Sequence, residues 1–273
     1  MDHYPIGRAT LFGKERIPFG TMVAIGAQAT STLMKKLLLL ALAVASVSVQ
    51  AQKHVYDDLL VLYVDEKFDK CIYKAENYTL NDATKKDPLP FLYMSMCFYE
   101  MSKLEKYQAD YPKAGRDALK YAEKFRKKDK ENEFFGNYED YWANLNTTAM
   151  QEGEALMDDP KGLSKSKQVW SSMTVYYPEN PGPWLMLAIT QYKANSTKEG
   201  DLSVKEFDKR VAEAGDLSRL PEDQRKLLKN ALIRYSDFMT EKGQRDQGRK
   251  YLSLGKDHFM DQPDFKAAYE GNR

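Results

Sequence analysis

The stretch Trp184-Leu185-Met186-Leu187-Ala188-Ile189-Thr190-Gln191-Tyr192 decides how this chain folds. It places a large apolar residue, a small residue four positions on and a tyrosine four beyond that. The same order recurs in Phe91…Ser95…Tyr99 and in Leu227…Ala231…Tyr235. Residues four apart lie on one helix face, and the small one lets a neighbouring helix approach closely. Leu59…Tyr63 is a fainter copy at the start, and the Trp142–Gly153 helix is a degenerate one. Copies follow one another at roughly 35–50 residues, the range of helical repeat arrays.

Working outward, Phe68, Cys71, Ile72 and Ala75 mark one face of a second helix, separated from Leu59, Leu60, Leu62 and Tyr63 by a short polar break. Pro and Gly cluster before new helical patterns, as in Asp87-Pro88-Leu89-Pro90, Pro178-Glu179-Asn180-Pro181-Gly182-Pro183 and Leu220-Pro221. Proline is tolerated in a first helical turn. No alternating run with a tight hairpin signal appears. The reading is all-α, four or five antiparallel helix pairs with an end cap near Tyr251–Phe265.

These features resemble the tetratricopeptide repeat family. Leu62-Tyr63-Val64-Asp65-Glu66-Lys67-Phe68-Asp69-Lys70-Cys71-Ile72 is similar to its first-helix end, turn and second-helix start. Cys71 stands at the usual Ala position and Phe68 at the aromatic one. Trp184–Ala188 resembles the start of a later unit, after the closing proline of Tyr177-Pro178. The likeness covers most of Val55–His258. Asn77–Asp87, Met101–Asp110 and Asn195–Leu202 read as insertions, and the glycine after the tyrosine is mostly missing. The resemblance implies a right-handed α-solenoid of stacked antiparallel pairs, exposing an extended face to peptides or partner domains. It also implies that Tyr63, Tyr99, Tyr192 and Tyr235 form a ladder along that face, with Met96 and Ile189 beside them. The alternative is that the tyrosines pack between helices with the hydroxyl at the rim.

Met34-Lys35-Lys36, the apolar run Leu37–Ala45 and the small residues ending at Val49-Gln50-Ala51 have the three parts of a secretory signal peptide. The expected signal is residues 34–51, with cleavage before Gln52. The apolar run is shorter than the roughly 20 residues of a membrane-spanning helix. Residues 1–33 show neither periodicity nor targeting logic and read as an upstream extension from a mis-chosen start codon, a disordered tail if translated. Residues 52–273 form the helical repeat domain, periplasmic or secreted.

The chemistry is sparse. Lys plus Arg (41) nearly equal Asp plus Glu (40), and a net charge of +1 argues against a nucleic-acid partner. His54 and His258 lie far apart in sequence and in no zinc-ligand spacing, and no phosphate loop or nucleophile elbow is present. No cofactor, metal or enzymatic activity is expected. Asp158-Asp159 and Tyr138-Glu139-Asp140 read as solvated helix faces, the basic run Phe125–Glu131 as a solvated helix C-terminus, and the three tryptophans as core. Cys71 and Cys97, the only cysteines, are either two buried thiols or, in an oxidising compartment, a disulfide. The expected function is an exported scaffold or adaptor holding a protein or peptide partner in the bacterial cell envelope. A glycan- or peptidoglycan-binding envelope protein is the alternative. No feature demands a particular oligomeric state.

Overall fold

The computed structural model describes residues 55–271, which belong to one compact unit; the segments read as a signal peptide and an upstream extension, and His54, lie outside the described residues. Among the described residues the structure is helical, without strands. The elements are α1 (Asp57–Val64), α2 (Phe68–Leu80), α3 (Leu89–Lys103), α4 (Ala114–Lys128), α5 (Glu139–Asp158) and α6 (Leu163–Tyr176). They continue with α7 (Pro181–Lys193), α8 (Thr197–Ala214), α9 (Glu222–Glu241), α10 (Arg245–Phe259) and α11 (Pro263–Gly271). No helix among them is long and apolar enough to cross a membrane.

The helices form five hairpins, α1/α2, α3/α4, α5/α6, α7/α8 and α9/α10, and α11 packs against α9 and α10. Three hairpins turn in one way. Glu66 (φ 55°), Asn195 (φ 61°) and Gly243 (φ 74°) each take a left-handed conformation after the first helix. The next N–H then reaches back five residues: Lys67 to the Leu62 carbonyl at 2.9 Å, Ser196 to Gln191 at 2.9 Å and Gln244 to Met239 at 2.8 Å. This closure satisfies carbonyls the helix end would otherwise leave unpaired.

The helix crossings repeat as well. The Cys71 thiol donates to the Leu59 carbonyl at 3.5 Å, the Ser95 hydroxyl to that of Ala118 at 2.6 Å, and the Ser166 hydroxyl to that of Gly153 at 2.8 Å. At Gly248 an added Cβ would lie 2.9 Å from the Ser236 carbonyl oxygen. Leu59/Cys71, Ala188/Gly200 and Ser236/Gly248 are each twelve positions apart in the chain, placed alike about the left-handed residue. A small side chain on at least one helix lets Leu59/Cys71 and Ser236/Gly248 close to near backbone contact, while at Gly200 the place of a Cβ is taken by the Tyr192 ring. Gly153/Ser166 has one extra residue, and Ser95/Ala118 has eleven, absorbed by the connection Leu104–Lys113 with its short 3-10 turn Glu105–Tyr107.

The crossings correct three expectations. Asn195–Leu202 is no insertion: the turn is confined to Ala194–Ser196 and α8 begins at Thr197. In α9 the crossing residue is Ser236 rather than Ala231, because α9 is 20 residues long and its turn lies further on. The second helix α2 runs on to Leu80, into the segment read as an insertion. Successive hairpins engage by different faces: α2 packs on α3 and α6 on α7, whereas α4 packs on α6 and α7 on α9, and α5 also touches α9. The core holds Trp142, Trp170, Phe125, Phe207, Phe259 and Phe265, all at most 1% exposed.

Candidate functional site

Two helix starts and one loop enclose a cleft of about 510 Å³. One wall is Phe135–Gly136 and the first turns of α5, from Glu139 to Thr147. The other is Pro221–Lys226 at the start of α9, and Tyr177, just after α6, lies between them. The loop before α5 owes its shape to Asp129, which is 3% exposed. Its carboxylate accepts the backbone N–H groups of Glu133 at 2.9 Å, Phe134 at 3.2 and 3.3 Å, and Phe135 at 2.9 Å. That wrap drives the Phe135 ring into a stack on Trp142 (4.7 Å, 8°), while the Trp142 indole N–H donates to the Phe135 carbonyl at 2.9 Å. Tyr177 meets Phe135 edge-on at 4.8 Å.

A polar chain runs beneath the cleft. Asn180 caps α7 by accepting from the Gly182 N–H at 3.2 Å, and its amide donates to Asn146 at 3.3 Å. The Asn146 amide donates in turn to the Asp223 carboxylate at 2.7 Å. Both asparagines are buried, so Asp223 is tied to the core rather than free to swing. Burial pushes the Asp223 carboxyl above the usual aspartate range, with Glu222 adding a like charge; the Asn146 bond opposes both. Below Asp223 the Tyr176 hydroxyl is wholly buried and has no hydrogen-bond partner among the described residues.

The cleft is acidic. Glu139, Asp140, Glu222 and Asp223 face one cation, Lys226. The starts of α5 and α9 offset this by about half a positive charge each. A net negative field remains. Carboxylates in first turns ordinarily just complement the helix dipole. Here two such turns open on one cavity, and one carboxylate is held there at an electrostatic cost, a mark of functional sites.

Glu139 and Asp140, read in the sequence as a solvated helix face, and Trp142, read as core, line this cleft, whereas the tyrosines, Met96 and Ile189 expected in a groove lie elsewhere. Tyr63 and Tyr99 come near each other beside Tyr141, which stacks edge-on to Tyr99 at 5.8 Å. Tyr99 is 8% and Met96 9% exposed. Tyr192 is half-buried, stacks on Phe238 at 5.8 Å and donates its hydroxyl to Asp201 at 2.8 Å. Tyr192 borders one shallow hollow and Ile189, 1% exposed, a second, with Phe238 shared between them. Tyr235 has no exposed surface; its ring meets Tyr251 at 4.6 Å and its hydroxyl accepts from Gln247 at 2.8 Å. In the register of the turns, Thr240 rather than Tyr235 follows the crossing residue by four. Tyr235 is therefore a packing residue, and the continuous ladder of four is not formed.

Other expectations also shift. Arg126, placed in a solvated helix end, lies over the Phe135 ring at 4.7 Å and pairs with Glu179. Asp158 receives two hydrogen bonds from Arg234, at 2.8 and 3.0 Å, tying α5 to α9. Cys71 and Cys97 are fully buried free thiols. His258 is half-buried and stands against Phe259. Trp142 and Trp170 are core, and Trp184 is half-buried with its indole donating to the Pro178 carbonyl at 3.1 Å. Among the described residues no group of three His, Cys, Asp or Glu is placed to hold a metal ion. The cleft itself went unforeseen. Glu139 and Glu222 are 83 positions apart, and nothing periodic links them. No family model, no curated protein and no solved structure matches the chain.

Proposed function

We propose that this chain is an exported helical repeat protein of tetratricopeptide type that holds a peptide or protein partner in the cell envelope. The cleft between the starts of α5 and α9 takes a cationic segment of that partner. One observation carries the reading: four carboxylates against one ammonium around a cavity whose floor is aromatic and whose deepest carboxylate is fixed by Asn146. A lysine or arginine side chain entering there pairs its charge with Asp223 and lays its methylene stem along Tyr177 and Pro221. The repeated turn and the repeated crossing support the solenoid part of the reading, and the Met34–Ala51 pattern supports export to the periplasm or outside. A glycan ligand fits less well. It needs open ring faces, and Phe135 and Trp142, at 9% and 1% exposed, are stacked on each other.

Fluorescence anisotropy with a short Lys/Arg-rich peptide and an Asp/Glu-rich control tests this. The basic peptide should bind and the acidic one should not. Asp223→Asn should weaken binding roughly tenfold, the weight of one charge-assisted hydrogen bond. Asparagine still accepts from Asn146, so the fold should hold. The sign of the stability effect is fixed too. A carboxyl with its folded pKa raised contributes stability at low pH that is lost as pH rises through that pKa. At neutral pH the neutral isostere should therefore melt at the same temperature or higher. Affinity in the natural protein should fall on acidification, beginning above the ordinary aspartate value of 3.8. Equal affinity for both peptides, or a D223N variant that binds undiminished, would sink the assignment.

A further inference from the structure

Cys71 and Cys97 are the only cysteines of the chain, and they sit on different hairpins, α2 and α3. These helices pack against each other, and both side chains lie in the core with no exposed surface. Each thiol lies close enough to shift the titration of the other, and Cys71 donates to the Leu59 carbonyl of α1 at 3.5 Å. Three helices therefore meet at one sulfur pair.

The geometry points to Cys71 and Cys97 as a disulfide-forming pair that covalently staples the first hairpin to the second. The inference is independent of the peptide-binding reading. The oxidant is a disulfide, either of a small thiol or of a protein oxidoreductase. The Cys71 thiolate attacks one sulfur of that disulfide, whose other sulfur leaves as a thiolate. The Cys97 thiolate then attacks the Cys71 sulfur of the mixed disulfide and expels the second thiolate. One S–S bond forms within the chain, the oxidant's S–S bond breaks, and the two protons lost from the cysteines end on the two released thiols. The two sulfurs are unequal in a way that suits this order. The neighbouring Cys97 thiol holds the Cys71 thiol below its usual range, while the same contact and burial push Cys97 up.

Access comes from the edge of the array. Helix α1 has only eight residues and exposes Leu60, Val61 and Val64, so the first hairpin is lightly held. Its detachment bares Cys71 and Cys97 together, and so does folding itself before that hairpin docks. The bond would close a loop of about 26 residues in the unfolded chain, removing conformational freedom there.

The test refolds the full chain in a buffer of reduced and oxidised glutathione, beside a fully reduced control. Both are alkylated in denaturant and weighed intact. The proposal expects the oxidised sample to be lighter than the reduced chain by the two hydrogens lost and to carry no alkyl adduct. Its melting temperature should stand roughly 5–10 °C above the control. Cys71→Ser and Cys97→Ser should each take one adduct and lose the response to oxidant. Two adducts on the refolded natural chain, a persistent glutathione adduct, or a bond that leaves the melting temperature unmoved would overturn it. That mass result decides even where a serine variant folds poorly.

Discussion

Replacing Asp129 by alanine will cost about 3 kcal/mol of stability and dismantle one wall of the cleft. Asp129 is 3% exposed, and its two carboxylate oxygens take the N–H groups of three consecutive residues, Glu133, Phe134 and Phe135. Hydrogen bonds to a charged acceptor are the stronger kind, and a buried donor left without a partner costs about 1–3 kcal/mol. For a domain of this size the loss is a fall in melting temperature of roughly 6–12 °C. Asp129→Asn will not rescue it, because an amide turns one of the two acceptor oxygens into a donor facing N–H groups. A local readout accompanies the global one. The wrap fixes the backbone that carries the Phe135 ring onto Trp142, so the Trp142 fluorescence environment should change at temperatures well below unfolding. Thermal melts that place D129A within about 1 kcal/mol of the natural chain would show that the loop holds itself.

Gly182→Val will separate the fourth hairpin from the fifth. In sequence Gly182 sits among prolines and reads as a helix breaker. In the structure it lies inside the first turn of α7, where α7 meets α9. A Cβ there would stand 2.6 Å from Leu227 Cγ and 3.1 Å from the Leu227 carbonyl carbon and Leu228 nitrogen. Leu227 is fully buried, and a backbone cannot step aside as a surface side chain does. Overpacking of this kind costs about 3 kcal/mol at its upper end. Because hairpins in an array are stabilised by their neighbours, the damage should fall on one side of the substitution. Limited proteolysis should release α9–α11 while α1–α6 stay protected. Gly136→Ala is the control: no atom lies within 4 Å of its added Cβ, and it should melt like the natural chain. If G182V unfolds in one step with no early cleavage near α9, the hairpins do not behave as separable neighbours.

Both substitutions act at places where sequence reading met its limit. The helical class and four or five antiparallel pairs were legible because apolar side chains recur at helical spacing and Pro or Gly punctuates the breaks; the cap expected near Tyr251–Phe265 instead begins at Pro263, and Tyr251–Phe259 belongs to the fifth hairpin. Also legible was the need for a small residue where helices cross closely, which Ser95 and Cys71 fill. These are local properties: one face must be buried, and a close crossing admits only small side chains.

Register within α9 was not legible. Leu227, Ala231 and Tyr235 match the pattern as well as the true crossing does, and only the turn at Gly243 places Ser236 against Gly248. That error made Tyr235 a binding candidate when it is fully buried. The cleft lay further still beyond reach. Its carboxylates belong to two helix starts, and they converge because α9 packs on both α7 and α5 while the Asn180–Asn146–Asp223 chain joins the three. The secretory pattern at Met34–Ala51, by contrast, is read from sequence alone. The sequence by itself determined what each segment becomes, because helix and turn formation are settled within a dozen residues. Which segments face each other was decided only by tertiary packing, because it depends on how hairpins of unequal length find room for one another's side chains.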